Sequence, residues 1–192
     1  IVIANSDIYG HAGVGIDIRG RETRDVLITQ NKIHDIAGLI SDTLAGGDKG
    51  GITITMHDGE NSNCTIEYNE IYNNSYGSQT ARCDYGVSIY EASGNIVRYN
   101  RIYNNYGGGI YVIAIDAHAR NNRIYYNVIF ENGKSIYEAQ NKMGIRVGGN
   151  NDWDADGTQI FNNVIYSNTL RQEVGALHIG GGSGNIYVFN NI

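Results

Sequence analysis

Apolar and polar residues alternate along this chain in short runs with period two, and the same runs recur in a fixed order. One run reads Asn-x-Ile, often continued by Tyr and Asn. Its copies are Asn31-Lys32-Ile33, Asn69-Glu70-Ile71, Asn100-Arg101-Ile102, Asn127-Val128-Ile129, Asn163-Val164-Ile165 and Asn190-Asn191-Ile192, with a degenerate first copy at Ser6-Asp7-Ile8. A second run places a small residue before apolar-x-apolar: Gly15-Ile16-Asp17-Ile18, Gly51-Ile52-Thr53-Ile54, Gly86-Val87-Ser88-Ile89, Gly109-Ile110-Tyr111-Val112, Gly144-Ile145-Arg146-Val147 and Ala176-Leu177-His178-Ile179. A third precedes the Asn: Val26-Leu27-Ile28, Thr65-Ile66-Glu67-Tyr68, Ile96-Val97-Arg98-Tyr99, Arg123-Ile124-Tyr125-Tyr126, Gln159-Ile160-Phe161 and Ile186-Tyr187-Val188-Phe189. Period-two alternation predicts short strands with one buried face. Runs that never change order predict a solenoid.

Copies of the first run begin at positions 6, 31, 69, 100, 127, 163 and 190, so the repeat length varies while the runs do not. The expected fold is therefore all-β. It is a single-stranded right-handed parallel β-helix of about seven coils, with three short strands per coil and little helix. Coils stacked at the inter-strand spacing of about 4.8 Å give a rod on the order of 30 Å long. Length variation must fall in loops, because a one-residue slip turns every buried side chain outward. The repeated Asn fits a corner, where its amide supplies donors and an acceptor and can bond coil to coil as a ladder. The Gly before the second strand marks another corner, with left-handed or crowded backbone. Ser135-Ile136-Tyr137-Glu138 and Thr169-Leu170-Arg171-Gln172 read as capping boxes and predict one or two helical turns each.

Composition agrees with a fold made of corners: of 192 residues, 26 are Gly and 24 Asn. One domain, residues 1–192, can enclose a continuous core. The net charge of −6, without a basic run, argues against a nucleic-acid partner. It also disfavours a polyanionic ligand unless metal or local Arg offsets the repulsion. No apolar stretch is long enough to insert in a membrane. Both ends fall inside strand patterns, which is expected of a segment of a longer chain or of copies that associate end to end or laterally. Cys64 and Cys83 are either a bridge, closing a loop of about 20 residues with roughly 3 kcal/mol of stabilisation, or two unrelated thiols.

The candidate chemistry lies where the repeat is interrupted. After the second strand, successive coils carry His57-Asp58-Gly59-Glu60, Tyr90-Glu91, Asp116-Ala117-His118-Ala119-Arg120 and Asn150 to Gly157. In register these loops form one acidic, His-containing edge beside a face carrying Asp17, Thr53, Ser88, Tyr111, Arg146 and His178. Proton abstraction next to a uronate carboxylate needs a base, an acid and a neutralising cation. Asp116, His118, Tyr111 and Arg146 are the candidates for those roles. His57, Tyr90, Glu91 and His178 are candidates for contacts to substrate. Asp152-x-Asp154-x-Asp156-Gly157 has the alternating oxygens of the first half of a calcium loop and makes Ca2+ a candidate cofactor. Asn163 stands where such a loop has its bidentate Glu.

The Asn-x-Ile-Tyr and Gly-Ile-x-Ile runs resemble the parallel β-helix repeat families grouped with pectate lyases and with carbohydrate-binding and sugar-hydrolysing β-helices. The resemblance covers nearly the whole chain. It implies a polysaccharide partner, a secreted or cell-surface location, and lyase, epimerase or hydrolase chemistry. Those families also contain non-catalytic modules of surface proteins, tailspikes and filaments, which is the alternative expectation. Tyr111 to His118 resembles the Tyr-Gly-x-Asp-Pro-His signature of mannuronan epimerases at Asp116 and His118, with Ala117 in the Pro position.

Overall fold

The computed structural model describes residues 1–37, 49–58, 60–76, 84–134, 143–150, 152–168 and 176–192. The described strands form three parallel sheets of seven, six and six strands, and the chain visits the sheets in the same order on every coil. The first sheet runs from Val2–Ala4 to Tyr187–Phe189, the second from Asp7–Tyr9 to Val164–Tyr166, the third from Val14–Arg19 to Leu177–Ile179. Six complete coils are followed by one further strand of the first sheet. The expected seventh copy, Asn190-Asn191-Ile192, forms no strand, although Ile192 exchanges backbone hydrogen bonds with Asn163 and Ile165.

Register follows the sequence runs. Ile28, Ile66, Val97, Ile124 and Ile160 stack in the first sheet. Ile33, Ile71, Ile102 and Ile129 stack in the second. The third contributes two inward columns, Ile16-Ile52-Val87-Ile110-Ile145 and Ile18-Ile54-Ile89-Val112-Val147. Nearly all these side chains are fully buried. Each contributes about 1.5–3 kcal/mol through burial.

The corner Asn residues do form a ladder. Asn31, Asn69, Asn100, Asn127, Asn163 and Asn191 each donate from Nδ2 to the Oδ1 of the next, except the last, at 2.9–3.1 Å. The same Oδ1 accepts the backbone N–H of the preceding Asn, and Nδ2 also reaches a core-strand carbonyl of the coil before. Every polar atom of the amide is thus used, as burial requires. The residue just before the ladder bends with left-handed backbone: Gln30, Tyr68, Tyr99, Tyr126 and Asn162 have φ of 55–57°. Such a conformation is uncommon outside Gly, and for Tyr especially so; the ladder bonds on its C-terminal side hold it. A second ladder, absent from the sequence reading, runs through Asn74, Asn105, Asn132 and Asn168 between the second and third sheets. A short third one, Asn95 to Asn122, precedes the first sheet and also binds the Cys64 N–H and the Ser62 hydroxyl.

The small residue before the third strand is needed for space. A Cβ on Gly109 would sit 2.5 Å from the Gly144 carbonyl oxygen and 2.6 Å from Ile129 Cγ2. Gly15, Gly51, Gly86 and Gly144 would meet the equivalent atoms of their own coils. Both expected helical turns fall on residues 135–142 and 169–175, outside the described residues. Cys64 is a buried free thiol whose acidity burial suppresses; Cys83, its expected partner, also lies outside the described residues.

Candidate functional site

Outward positions of the third sheet line up in one column: Asp17, Thr53, Ser88, Tyr111, Arg146 and His178. Strand alternation aims these side chains away from the core. Several are nevertheless covered. Thr53, Ser88 and Tyr111 are no more than 4% exposed, and the Thr53 and Ser88 hydroxyls have no hydrogen-bond partner among the described residues. Tyr85 stacks on Tyr111 with ring centroids 4.6 Å apart. It was not among the sequence candidates. Gly108 makes room for it, because a Cβ there would lie 2.2 Å from the Tyr85 ring.

Above Tyr111 the column becomes cationic. The Arg146 guanidinium carbon lies 5.0 Å from the Tyr111 ring centroid, within cation–π range. His178 is one coil further on, in register with Arg146. Burial and the neighbouring Arg146 charge both pull the His178 pKa down. Its imidazole is therefore neutral at pH 7 and has a lone pair available.

The loops that leave this sheet also stack, as their equivalent places in the repeat required. Glu91 Oε2 contacts His57 Nδ1 at 3.1 Å, and Glu91 Oε1 accepts the Asp116 N–H at 2.8 Å. The Tyr90 ring meets His57 edge-on at 6.0 Å. One coil on, His118 Nδ1 accepts the Asp154 N–H at 3.3 Å and packs against Trp153, ring centroids 4.9 Å apart. Ala119 and Asn121 donate backbone hydrogen bonds to Asp154 and Asp156.

The sequence candidates therefore separate into two groups. Tyr111, Arg146 and His178 share one column of the sheet. Asp116 and His118 belong with His57, Tyr90, Glu91 and Trp153 on the loop edge. Tyr111 stands three residues, about 10 Å of strand, before Ala114, where its strand ends. The titratable side chain in register beside Arg146 is His178, and neither Asp116 nor His118 lies in that column.

A family model described as a right-handed β-helix region matches residues 1–192. The chain belongs to that family. No curated protein and no solved structure matches it. Membership explains the coils and their corners and leaves the chemistry to the residues that do not repeat.

For this β-helix the calcium expectation can be weighed by what the three carboxylates do. Asp154 accepts from Arg120 Nε at 2.5 Å and from Nη2 at 2.7 Å, a two-point pair that spends both its oxygens. Arg120 foremost holds the Asp154 pKa down, at about 2. Asp156 Oδ1 accepts the Asn185 N–H, and the Asp152 N–H is turned to Asn150. Among the described residues no three acidic, His or Cys side chains converge on one point. As arranged, the Asp154 carboxylate is committed to Arg120. Arg120 was the residue that sequence reasoning left without a role, and its equivalent place on the coil next to Asp154 was the available signal.

The second sheet carries a feature unrelated to this site. Tyr9, His34, Tyr72, Tyr103, Phe130 and Tyr166 stack outside it with centroids 4.8–5.2 Å apart and planes within 8°. His34 sits inside the stack, with Nδ1 2.7 Å from Asp35 and Nε2 2.8 Å from Asp7.

Proposed function

We propose that the outward face of the third sheet binds an acidic polysaccharide and removes a proton beside its uronate carboxylate, as a lyase or epimerase does. The observation that carries this is the register of Tyr111, Arg146 and His178. Arg146 would neutralise the carboxylate, which makes the neighbouring C–H acidic enough to lose its proton. His178, held neutral by burial and by Arg146, would accept that proton. Tyr111 would return a proton to the leaving oxygen or to the opposite face of the carbanion. A polysaccharide ligand would suit a secreted or cell-surface protein.

A panel of polygalacturonate, alginate and neutral glycans tests this. Calorimetry reads binding, ultraviolet absorbance the new double bond of elimination, and proton NMR the inverted sugar. The expected result is binding of a uronan, with turnover lost in Arg146→Ala and His178→Ala while the melting temperature moves little. Binding without turnover would favour the adhesive-module alternative. No binding of any sugar would sink the polysaccharide reading and leave the structural module.

A further inference from the structure

Glu91 is a carboxylate only 1% exposed, and it has left-handed backbone, φ 52°. Burying an anion is costly unless every oxygen is used. Both are: Oε1 takes the Asp116 N–H and Oε2 faces His57 Nδ1. His57 occupies the neighbouring coil, also with left-handed backbone, φ 62°, and its side chain is 53% exposed. One ring nitrogen is therefore held by the protein, and the other belongs to a ring that is half open to solvent.

Joining coils at this corner does not call for a carboxylate. Four residues further along the same turn, Asn95 joins Asn122 of the next coil through amides, and both are fully buried. What a carboxylate adds is that it can only accept. An amide at position 91 would present an oxygen to one of its two donors and an NH2 to the other. An ionised carboxylate accepts from both and so fixes His57 Nδ1 as the protonated nitrogen. Asp58, the nearest acid in sequence, is occupied with the Glu60 N–H at 3.0 Å.

We propose that Glu91 is a positioning residue that holds His57 in the Nδ1–H tautomer, so that Nε2 is preset as an acceptor for a hydroxyl of a sugar lying across the loop edge. The nature of that ligand rests on the polysaccharide reading above. The tautomer does not, since it follows from the Glu91 contacts alone. The site extends ligand contact from the sheet face to the loops, on coils before those of Arg146 and His178.

The test uses the full chain labelled with 15N. Imidazole nitrogen shifts, assigned with His57→Asn, should show His57 with Nδ1 protonated and Nε2 bare at neutral to alkaline pH. Glu91→Gln should move it toward the Nε2–H form. Diethyl pyrocarbonate, which acylates a bare imidazole nitrogen, should label His57 several-fold faster in the wild type than in Glu91→Gln. Glu91→Asp, which keeps an acceptor-only group, should recover part of that rate; it also serves if the Gln variant fails to fold. A wild-type Nε2–H tautomer, or reactivity unchanged by both substitutions, overturns the positioning role, which a purely structural Glu91 would leave without these signatures. With polygalacturonate as probe, His57→Ala should weaken binding several-fold without a matching loss of melting temperature. Unchanged affinity overturns the ligand role. If the wild type binds no sugar, the polysaccharide reading and the ligand role fall together, while the tautomer result still decides what Glu91 does.

Discussion

Asn100 sits at the middle of the longest ladder and is 2% exposed. Its Oδ1 accepts the Asn69 N–H at 2.9 Å, and its Nδ2 reaches the Ile66 oxygen at 2.9 Å and Asn127 Oδ1 at 3.0 Å. Asn100→Ala strands the Asn69 N–H in the interior, at about 1–3 kcal/mol, and forfeits two donated bonds at about 0.5–1.5 kcal/mol each. The expected loss is about 4 kcal/mol, a large share of the 5–15 kcal/mol that a domain of this kind has. For a chain of this length it corresponds to a fall in melting temperature of about 10 °C. Urea and thermal unfolding followed by circular dichroism measure the loss. Amide exchange should locate it at Asn69 and the coils on either side, because a solenoid is held by neighbour contacts. Asn100→Asp sharpens the test. It keeps the acceptor for Asn69 but faces a carboxylate toward the Ile66, Arg98 and Asn127 oxygens. It should be worse than Ala at pH 7 and recover as pH falls and the acid protonates. If Asn100→Ala costs less than about 1 kcal/mol, the ladder is ornament and the stability lies in the Ile columns alone.

Three further outcomes are expected. Asp35 and Asp7 raise the His34 pKa above 6.5 against the opposing pull of burial. The stabilisation they give is complete below about pH 6.5 and lost as pH rises through the higher folded value; the melting temperature should fall across that window in the wild type and stay flat in His34→Phe. The lowered Asp154 pKa works in the other direction: its contribution is present above pH 3.8 and lost as pH falls toward about 2. Asp154→Asn should cost about 1 kcal/mol at pH 7, and chelator should leave both proteins unmoved; a chelator-induced fall in the wild type would mean that metal displaces Arg120. Gly109→Ala drives a Cβ against a backbone carbonyl that cannot turn aside. It should destabilise by about 1–3 kcal/mol or more, and a neutral result in thermal melts would contradict the close approach of the second and third sheets.

The fold was legible because it is periodic. Most strands of the first two sheets were read to within about a residue, as with Leu27–Thr29 against Val26 to Ile28, since a buried face leaves a period-two trace; those of the third run up to two residues further, as in Lys49–Thr55 against Gly51 to Ile54. The first Asn ladder was visible for the same reason, except that its last member is Asn191 and not Asn190, because the register sets Phe189 opposite Phe161. The second was hidden by its neighbours: the Tyr-Asn pair drew attention to Asn73 and Asn104, while the ladder uses Asn74 and Asn105. The constant offset of five from Asn69, Asn100, Asn127 and Asn163 was the signal that could have found it. The site was only partly legible. Register alone predicted that Tyr111, Arg146 and His178 share a column, and that the loops after the third sheet stack. It could not show that Asp154 would turn to Arg120, or that Tyr85 would lie over Gly108. Those depend on loop conformation and ring packing, which have no period. The aromatic stack was present in the sequence as the residue after each Asn-x-Ile, where the strand register puts the rings in one column.

The ladders also bear on how such a chain can lengthen. A coil's only obligations to its neighbours are an amide at each corner, a small residue before the third strand and branched apolar residues within. A duplicated or deleted coil therefore meets compatible partners on both sides, and the rod can gain or lose units by copying. The column of Tyr111, Arg146 and His178 has no such tolerance. Inserting one coil between them would part the guanidinium from the ring or the imidazole by a further rise of about 4.8 Å. Variation in coil number among descendants should thus be admitted on either side of these three coils and excluded within them, so that the boundary of the functional site would be written in where insertions stop.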